Sequence, residues 1–231
     1  MVSTTTPTTK TIRDVIAEMQ RIQAALPEND GVAWFNRLYT RVTENVAARL
    51  GTGYFANDAF IARMDVVFAG YYFRALDASP PPRCWAPLVD ARADTSIAPL
   101  AFALAGMNAH INHDLALTVL DIARERGALR RRGTPEHDDY VRINDVLSAT
   151  IEDVKPWLER GITRAIDDAL GRADEAAEIF SIANAREAAW TAGETFWTLR
   201  DSPDVSRAYE ASLDRIVGMA SRAMLAIARR V

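Results

Sequence analysis

Cysteine and long hydrophobic runs are nearly missing from this chain of 231 residues. Its single cysteine, Cys84, excludes an intrachain disulfide and any CxxC zinc or redox motif, and beside Trp85 it predicts a small packed side chain. No segment holds the roughly 18 consecutive apolar residues that a membrane-spanning helix needs. Residues 1–9 are polar and lack the apolar stretch of a signal peptide, so we expect a disordered tail on a cytoplasmic protein with no membrane partner.

Lysine is also scarce, because Lys10 and Lys155 are the only two among 27 basic residues. The 31 acidic residues outnumber the basic ones and give a formal net charge of −4. A nucleic-acid-binding surface requires clustered positive charge, and the one basic run, Arg130-Arg131-Arg132, is typical of a solvated helix end. We therefore expect no nucleic-acid partner.

Hydrophobic periodicity predicts an all-α protein, since no alternating strand pattern occurs. With 49% apolar residues, the chain can bury one substantial core or two small ones, and we expect residues 10–231 to form a single domain. The predicted helices cover 11–26, about 34–46, 60–76, 96–126, 136–170 with a kink or break before Pro156, 174–199 and 205–230. The segment 77–94, which contains a run of three prolines, is predicted to be a loop. Seven or eight helices with short connections favour a helical bundle or an orthogonal array.

Two of the three histidines lie in the apolar run MNAHINHDLA, residues 107–116. Burying ionisable groups costs several kcal/mol unless they are paired, liganded or neutralised, so this run indicates either a structural polar network or a reaction site. On an α-helix, which turns about 100° per residue, His110 and Asp114 face the same way and His113 lies about 60° aside. The third histidine, His137, lies in a polar segment and is predicted to be a solvated helix start.

Two further charged residues, Asp65 and Arg186, fall on the apolar stripes of their predicted helices. We therefore predict a buried site in which His110 acts as acid or base, Asp114 and Asp65 orient it, and Arg186 balances charge or binds an anionic group. Five further residues on or beside the apolar faces of predicted helices are expected to contact the substrate. These are Tyr71, Tyr72, Met107, Trp190 and Glu194.

This pattern predicts an enzyme of bacterial specialised metabolism that isomerises, cyclises or eliminates on an apolar small molecule such as a polycyclic, a polyketide or a terpenoid. A metal-dependent enzyme with a divalent ion on His110, His113 and Asp114 is the first alternative. A noncatalytic ligand-binding or scaffold protein is the second. The sequence names no cofactor and leaves homo-oligomerisation open.

Residues 144–152, NDVLSATIE, fit the NDxxSxxxE motif of class I terpene synthases. This resemblance implies that Asn144, Ser148 and Glu152 bind Mg²⁺ and diphosphate from one helix face. The aspartate-rich motif that should precede it is missing, because Asp65 stands alone and Asp167-Asp168 follows the motif. A terpene-synthase-like enzyme is therefore a further alternative.

Several stretches, MNAHINHDL (107–115), YVRINDVL (140–147), GRADE (171–175), FSI (180–182) and AREAAW (185–190), resemble an actinobacterial family of helical proteins, domain of unknown function 5995. Its pattern MNAHIN-x-DL is matched at His110, Asn112 and Asp114, whereas His113 occupies the variable position. The resemblance implies an all-helical fold and points to the same residues, but it implies no activity.

Overall fold

The computed structural model describes residues 10–159 and 181–229, apart from the side chains of residue 152 and residues 155–159, and this part of the chain is all-α with no strand. The helices are α1 (Ile12–Ala25), α2 (Gly31–Ala47), α3 (Asp58–Asp77), α4 (Ala86–Ala91), α5 (Pro99–Ala109), α6 (Leu115–Arg126), α7 (Pro135–Glu159), α8 (Ile182–Thr198) and α9 (Pro203–Ile227). None of these helices is both long enough and apolar enough to cross a membrane.

Side-chain caps fix the start of several helices. The Thr11 hydroxyl accepts a hydrogen bond from the Asp14 N–H, and the Asp14 carboxylate accepts one from the Thr11 N–H, which makes a capping box at α1. Ser181 caps α8 in the same way by accepting from the Asn184 N–H. The helix predicted from residue 174 therefore begins at Ile182, and residues 174–180 lie outside the described residues.

The structure differs from the prediction at two places, the loop predicted at 77–94 and the helix around Pro156. The predicted loop contains the short helix α4, whose first turn tolerates Pro87 because the first N–H groups of a helix have no intrahelical partner. Helix α7 runs without interruption past Pro156 to Glu159, so a break before this proline is wrong, while a kink there stays a prediction. The predicted extension to residue 170 lies outside the described residues.

The central helix runs from Pro99 to Arg126 and matches the predicted span 96–126. It is α-helical except at His110–Asp114, which form a π turn closed by the bond from the Leu115 N–H to the His110 carbonyl. All residues of α5 from Ala101 onward are buried, because α2 and α9 pack against α5, while α8 packs against α6. This helix carries His110, His113 and Asp114 through the middle of the core.

Helices from both ends of the chain contribute to one large hydrophobic cluster, which extends from Ile12 to Ala228. Its aromatic members surround the π turn. Phe35, Tyr72 and Trp85 pack edge-on or tilted against one another with ring centroids 5.1–5.4 Å apart. The π turn is therefore enclosed by aromatic side chains from α2, α3 and the segment before α4.

Candidate functional site

Asp114 is the centre of a buried hydrogen-bond network. Its Oδ2 accepts from His110 Nδ1 at 2.9 Å and from Trp85 Nε1 at 3.0 Å, and its Oδ1 accepts from His113 Nδ1 at 2.8 Å. Burial raises the pKa of Asp114, but the hydrogen bonds from the two histidines outweigh burial and hold that pKa below its usual range. An ionised carboxylate only accepts hydrogen bonds, so both imidazoles carry a proton on Nδ1.

His110 is only 2% exposed, and its second ring nitrogen, Nε2, has no hydrogen-bond partner. The imidazole lies flat on Phe68 with centroids 3.5 Å apart, and the Tyr39 ring meets it edge-on at 4.6 Å. Burial lowers the pKa of His110 and outweighs the opposing hydrogen bond and charge of Asp114. His110 is therefore neutral at pH 7 and presents the lone pair of Nε2 as a proton acceptor.

His110 lines a cavity of about 80 Å³ that has apolar walls. Helices α2, α3 and α7 supply most of the wall, and the central helix supplies Met107, His110, Ile111 and Leu115. The wall residues include Phe35, Val42, Ile61, Phe68, Ile143 and Leu147. This arrangement, apolar walls with a few polar groups, is typical of small-molecule binding sites.

Asp65 of α3 contributes a carboxyl group to this cavity without a stabilising partner. Its Oδ2 is buried and makes no hydrogen bond, and burial raises the pKa of Asp65 to about 7. The hydroxyl of Tyr39 also lacks a partner at this cavity. Asp65 therefore exists partly as a neutral acid near pH 7 and can donate a proton into the cavity.

Arg186 of α8 places a cationic side chain at the same cavity. The residue is only 4% exposed. Its Nη2 donates to the Tyr140 carbonyl oxygen at 2.6 Å, and the guanidinium lies 4.2 Å from the Tyr140 ring centroid. Its Nε has no partner, and it forms no ion pair within the described part of the chain. Burial lowers the pKa of Arg186, because a buried cation without a counter-ion is costly.

The structure thus brings Asp65, His110, Arg186 and Met107 together at one cavity, with Asp114 behind His110. Of the two predicted roles of Arg186, an ion pair with a carboxylate is not seen among the described residues, because the guanidinium contacts Tyr140 instead. Binding of an anionic group by Arg186 stays a prediction. Asp65 makes no hydrogen bond to His110, so Asp114 alone orients the imidazole.

The remaining predicted substrate contacts do not line this cavity. The Tyr72 hydroxyl donates to Asn36 Oδ1 in the core, and the Tyr71 hydroxyl donates to Asp121 Oδ2 on another side of α3. Trp190 is buried elsewhere in the core, and its Nε1 donates to Glu194 Oε1. A hydrophobic stripe shows which face of a helix is buried, but it does not show which neighbour that face meets.

His113 faces away from the cavity and lines a separate groove of about 480 Å³. A π turn holds one more residue than an α turn. The side chains of His110 and His113 therefore diverge around the helix axis by a larger angle than the α-helical geometry predicted. The donor atoms of His110, His113 and Asp114 do not form a converging set in the described part of the chain. The residues whose donor atoms do converge there are Cys84, His113 and Asp214.

The terpene-synthase motif lies on α7. Asn144 is half-buried with an unpartnered Oδ1, and Ser148 is exposed. The side chain of Glu152 and the pair Asp167-Asp168 lie outside the described residues, so a diphosphate site here stays a prediction.

Sequence reasoning missed Tyr39 and Trp85 as site residues. Tyr39 reads as an ordinary member of an apolar stripe, and Trp85 falls in the segment predicted to be a loop. The prediction that His137 is solvated is wrong, because it is 8% exposed and packs edge-on against Trp190 with centroids 4.7 Å apart.

Comparison with known proteins identifies a family but no function. No curated protein and no solved structure matches the chain. A family model described as "Family of unknown function (DUF5995)" matches residues 12–227. Because this match covers nearly the whole chain, the protein belongs to the DUF5995 family.

Proposed function

We propose that this protein is a small-molecule enzyme of the isomerase, cyclase or lyase type in which His110 exchanges a proton with its substrate. One observation carries the proposal. Four residues that line one cavity with apolar walls each have a buried polar atom without a hydrogen-bond partner, namely His110, Asp65, Arg186 and Tyr39. Buried polar groups are almost always hydrogen-bonded, so four exceptions at one cavity indicate that a ligand supplies the partners.

His110 and Asp114 have the geometry of a general base and its orienting carboxylate. Asp114 accepts from Nδ1 and fixes the tautomer, which leaves Nε2 free to take a proton from a C–H bond of the substrate. The imidazolium that forms is stabilised by the adjacent ionised carboxylate. The stacked Phe68 ring restricts imidazole rotation at the same time.

In the proposed isomerisation, Arg186 binds the anionic group of the substrate and Asp65 supplies a proton. The guanidinium pairs with an anionic group of the substrate, such as a carboxylate, and so stabilises the charge that develops when His110 removes the neighbouring proton. Protonated Asp65 then donates its proton to another carbon, which moves a double bond and forms one C–H bond for the one that was broken. His110 and Asp65 return to their starting states by proton exchange with solvent.

The cavity limits the size of this substrate. At about 80 Å³ it is smaller than the cavity of about 150 Å³ that accepts benzene in an engineered protein. The polycyclic substrate expected from the aromatic residues does not fit this space. A short branched or unsaturated carboxylate does, with its chain against Phe35 and Ile61 and its carboxylate at Arg186.

Solvent deuterium exchange tests the proposal. The protein is incubated in D₂O with but-3-enoate, 3-methylbut-3-enoate or 2-oxobutanoate, and deuterium uptake into each probe is followed by NMR. We expect uptake with wild type and a rate at least about 100-fold lower with His110→Gln, because general acid–base catalysis contributes that much or more. His137→Gln, at a buried histidine outside the cavity, is the matched control and retains the rate.

Binding of the same probes by calorimetry separates the alternatives. Arg186→Gln should weaken carboxylate binding, whereas Arg132→Gln, at an arginine paired with Glu194 near the surface, should not. Binding without deuterium uptake by any probe would contradict an enzyme and favour a noncatalytic ligand-binding protein. Neither binding nor uptake, with only loss of stability in the variants, would favour a purely structural network.

A further inference from the structure

Three potential metal ligands converge on the opposite side of Asp114 from the cavity. Cys84, His113 and Asp214 each offer a donor atom, and these three atoms all lie within 4.8 Å of one another. The residues come from three separate parts of the chain, the turn before α4, the π turn and α9. Cys84 and His113 are buried, and Asp214 is half-buried.

The surroundings fix the orientation of two of these ligands. His113 Nδ1 donates to Asp114 Oδ1 at 2.8 Å, which leaves Nε2 as its free donor atom. A carboxylate bound to the second nitrogen of a metal-ligating histidine is the usual way in which proteins orient such a ligand. Asp214 is held by the N–H groups of Cys84 at 2.8 Å and Arg83 at 3.3 Å, and its oxygens keep further lone pairs.

A groove of about 480 Å³ provides access from solvent to His113 and Asp214. Asp114, Asp214 and Glu210 contribute three carboxylates to its lining, against two arginines, Arg74 and Arg207. Arg74 lies over the Tyr71 ring and Arg207 pairs with Asp204. The groove lining therefore holds one more carboxylate than arginines, which favours a cation over an anion near the three ligands.

We propose that Cys84, His113 and Asp214 bind one Zn²⁺ ion, with the fourth coordination position open to the groove. One sulfur, one nitrogen and one oxygen donor suit zinc, whereas Mg²⁺ and Ca²⁺ take oxygen ligands. Three protein ligands and one open position are the arrangement of catalytic zinc sites, in which the ion activates a water molecule. None of the three ligands lines the cavity, although Asp114 hydrogen-bonds both His113 and His110. Metal binding is measured directly and therefore separately from the proposed acid–base function.

Cobalt substitution tests the site in the full-length protein. The purified protein is treated with a chelator, dialysed and titrated with Co²⁺ while near-ultraviolet and visible spectra are recorded. A thiolate bound to cobalt gives a charge-transfer band, and any such band must arise from Cys84 because the chain has no other cysteine. We expect this band to saturate at one Co²⁺ per chain and to disappear on addition of one equivalent of Zn²⁺.

Variants then assign the other ligands. Asp214→Asn and His113→Gln should weaken Co²⁺ binding at least about 10-fold, and Cys84→Ser should remove the charge-transfer band while circular dichroism confirms folding. His110→Gln should keep both the band and the Co²⁺ affinity, whereas Co²⁺ that binds without the band and is lost in His110→Gln would indicate a site on His110, His113 and Asp114. No Co²⁺ binding by wild type, or binding without the thiolate band, would overturn the proposal whatever the variants do.

Discussion

At the scale of single residues, some ionisable groups in the core have hydrogen-bond partners for their buried polar atoms and others do not. Asp114 accepts three hydrogen bonds and is fully accommodated in the core. Asp65 and Arg186 each leave a buried polar atom unpaired, and so does His110 through its Nε2. Each such atom costs roughly 1–3 kcal/mol in the free protein. A ligand that satisfies these atoms would therefore stabilise the protein.

The raised pKa of Asp65 predicts a pH-dependent stability. Because the pKa rises from its usual value of 3.8 to about 7 on folding, the folded state binds this proton more tightly than the unfolded state between pH 4 and 7. The contribution of Asp65 is thus present at low pH and is lost as the pH rises through this window. Asp65→Asn should be more stable than wild type at pH 8, by up to about 4 kcal/mol, and nearly equal to it at pH 4.

Urea denaturation at the two pH values measures this difference. Asp153→Asn, at an exposed position on α7, is the control and should change neither midpoint. The interpretation of Asp65 as a buried neutral acid is wrong if the stability of Asp65→Asn relative to wild type is the same at both pH values.

At the scale of the elements, the π turn and one glycine determine how the central helix presents His110. The π turn directs His110 and His113 to different cavities on either side of Asp114. Gly106, one turn earlier, has no Cβ and lets the Phe35 ring lie directly on the helix backbone. Phe35 in turn packs edge-on against His110 with centroids 5.8 Å apart. Local backbone features therefore set the position of the candidate base.

Gly106→Ala should disturb this packing. A Cβ added at Gly106 would lie 2.4 Å from the Phe35 ring, and because Phe35 is buried the ring cannot swing into solvent. We expect a loss of about 1–3 kcal/mol in the free energy of unfolding, together with weaker probe binding in the cavity.

Gly70→Ala in α3 is the matched control for this substitution. Its Cβ would meet only the mobile end of the Arg74 side chain, at 3.2 Å, and replacing glycine by alanine within a helix stabilises it by about 0.5–1 kcal/mol. Thermal and urea unfolding compare the two variants. Equal effects at both positions would show that the close contact with Phe35 is not what constrains Gly106.

At the scale of the whole molecule, long-range hydrogen bonds connect helices that are distant in sequence. Asn108 Nδ2 donates to the Val217 carbonyl and to Ser221 Oγ, both at 2.9 Å, and Ser221 donates to the Ala105 carbonyl. Asp139 accepts from the N–H groups of Ala56 and Asn57 and links α7 to the start of α3. The hydrophobic cluster connects distant parts of the chain as well, since it includes residues from Ile12 to Ala228.

A shared core predicts that the chain unfolds as one unit. We expect a single calorimetric transition whose calorimetric enthalpy equals its van't Hoff enthalpy. Two resolved transitions, or an enthalpy ratio well above one, would contradict the prediction that residues 10–231 form a single domain.

Much of the fold can be predicted from the sequence because local patterns suffice for it. The 3.6-residue periodicity gives the helical class, and the spacing of Thr11 and Asp14 gives the capping box of α1. Helix α4 and the π turn are exceptions. No local pattern distinguishes the short helix from a proline-rich loop, and the π turn depends on the packing around His110 and Asp114.

The all-α class follows from the residue pattern, and so does the position of Asp65, His110, Asp114 and Arg186 on apolar helix faces. Which of these groups come together depends on how the helices pack. It placed Asp65, His110 and Arg186 at one cavity and turned His113 towards Cys84 and Asp214. Helical periodicity fixes the direction of each side chain relative to its own helix, whereas the packing of helices distant in sequence decides what that side chain contacts.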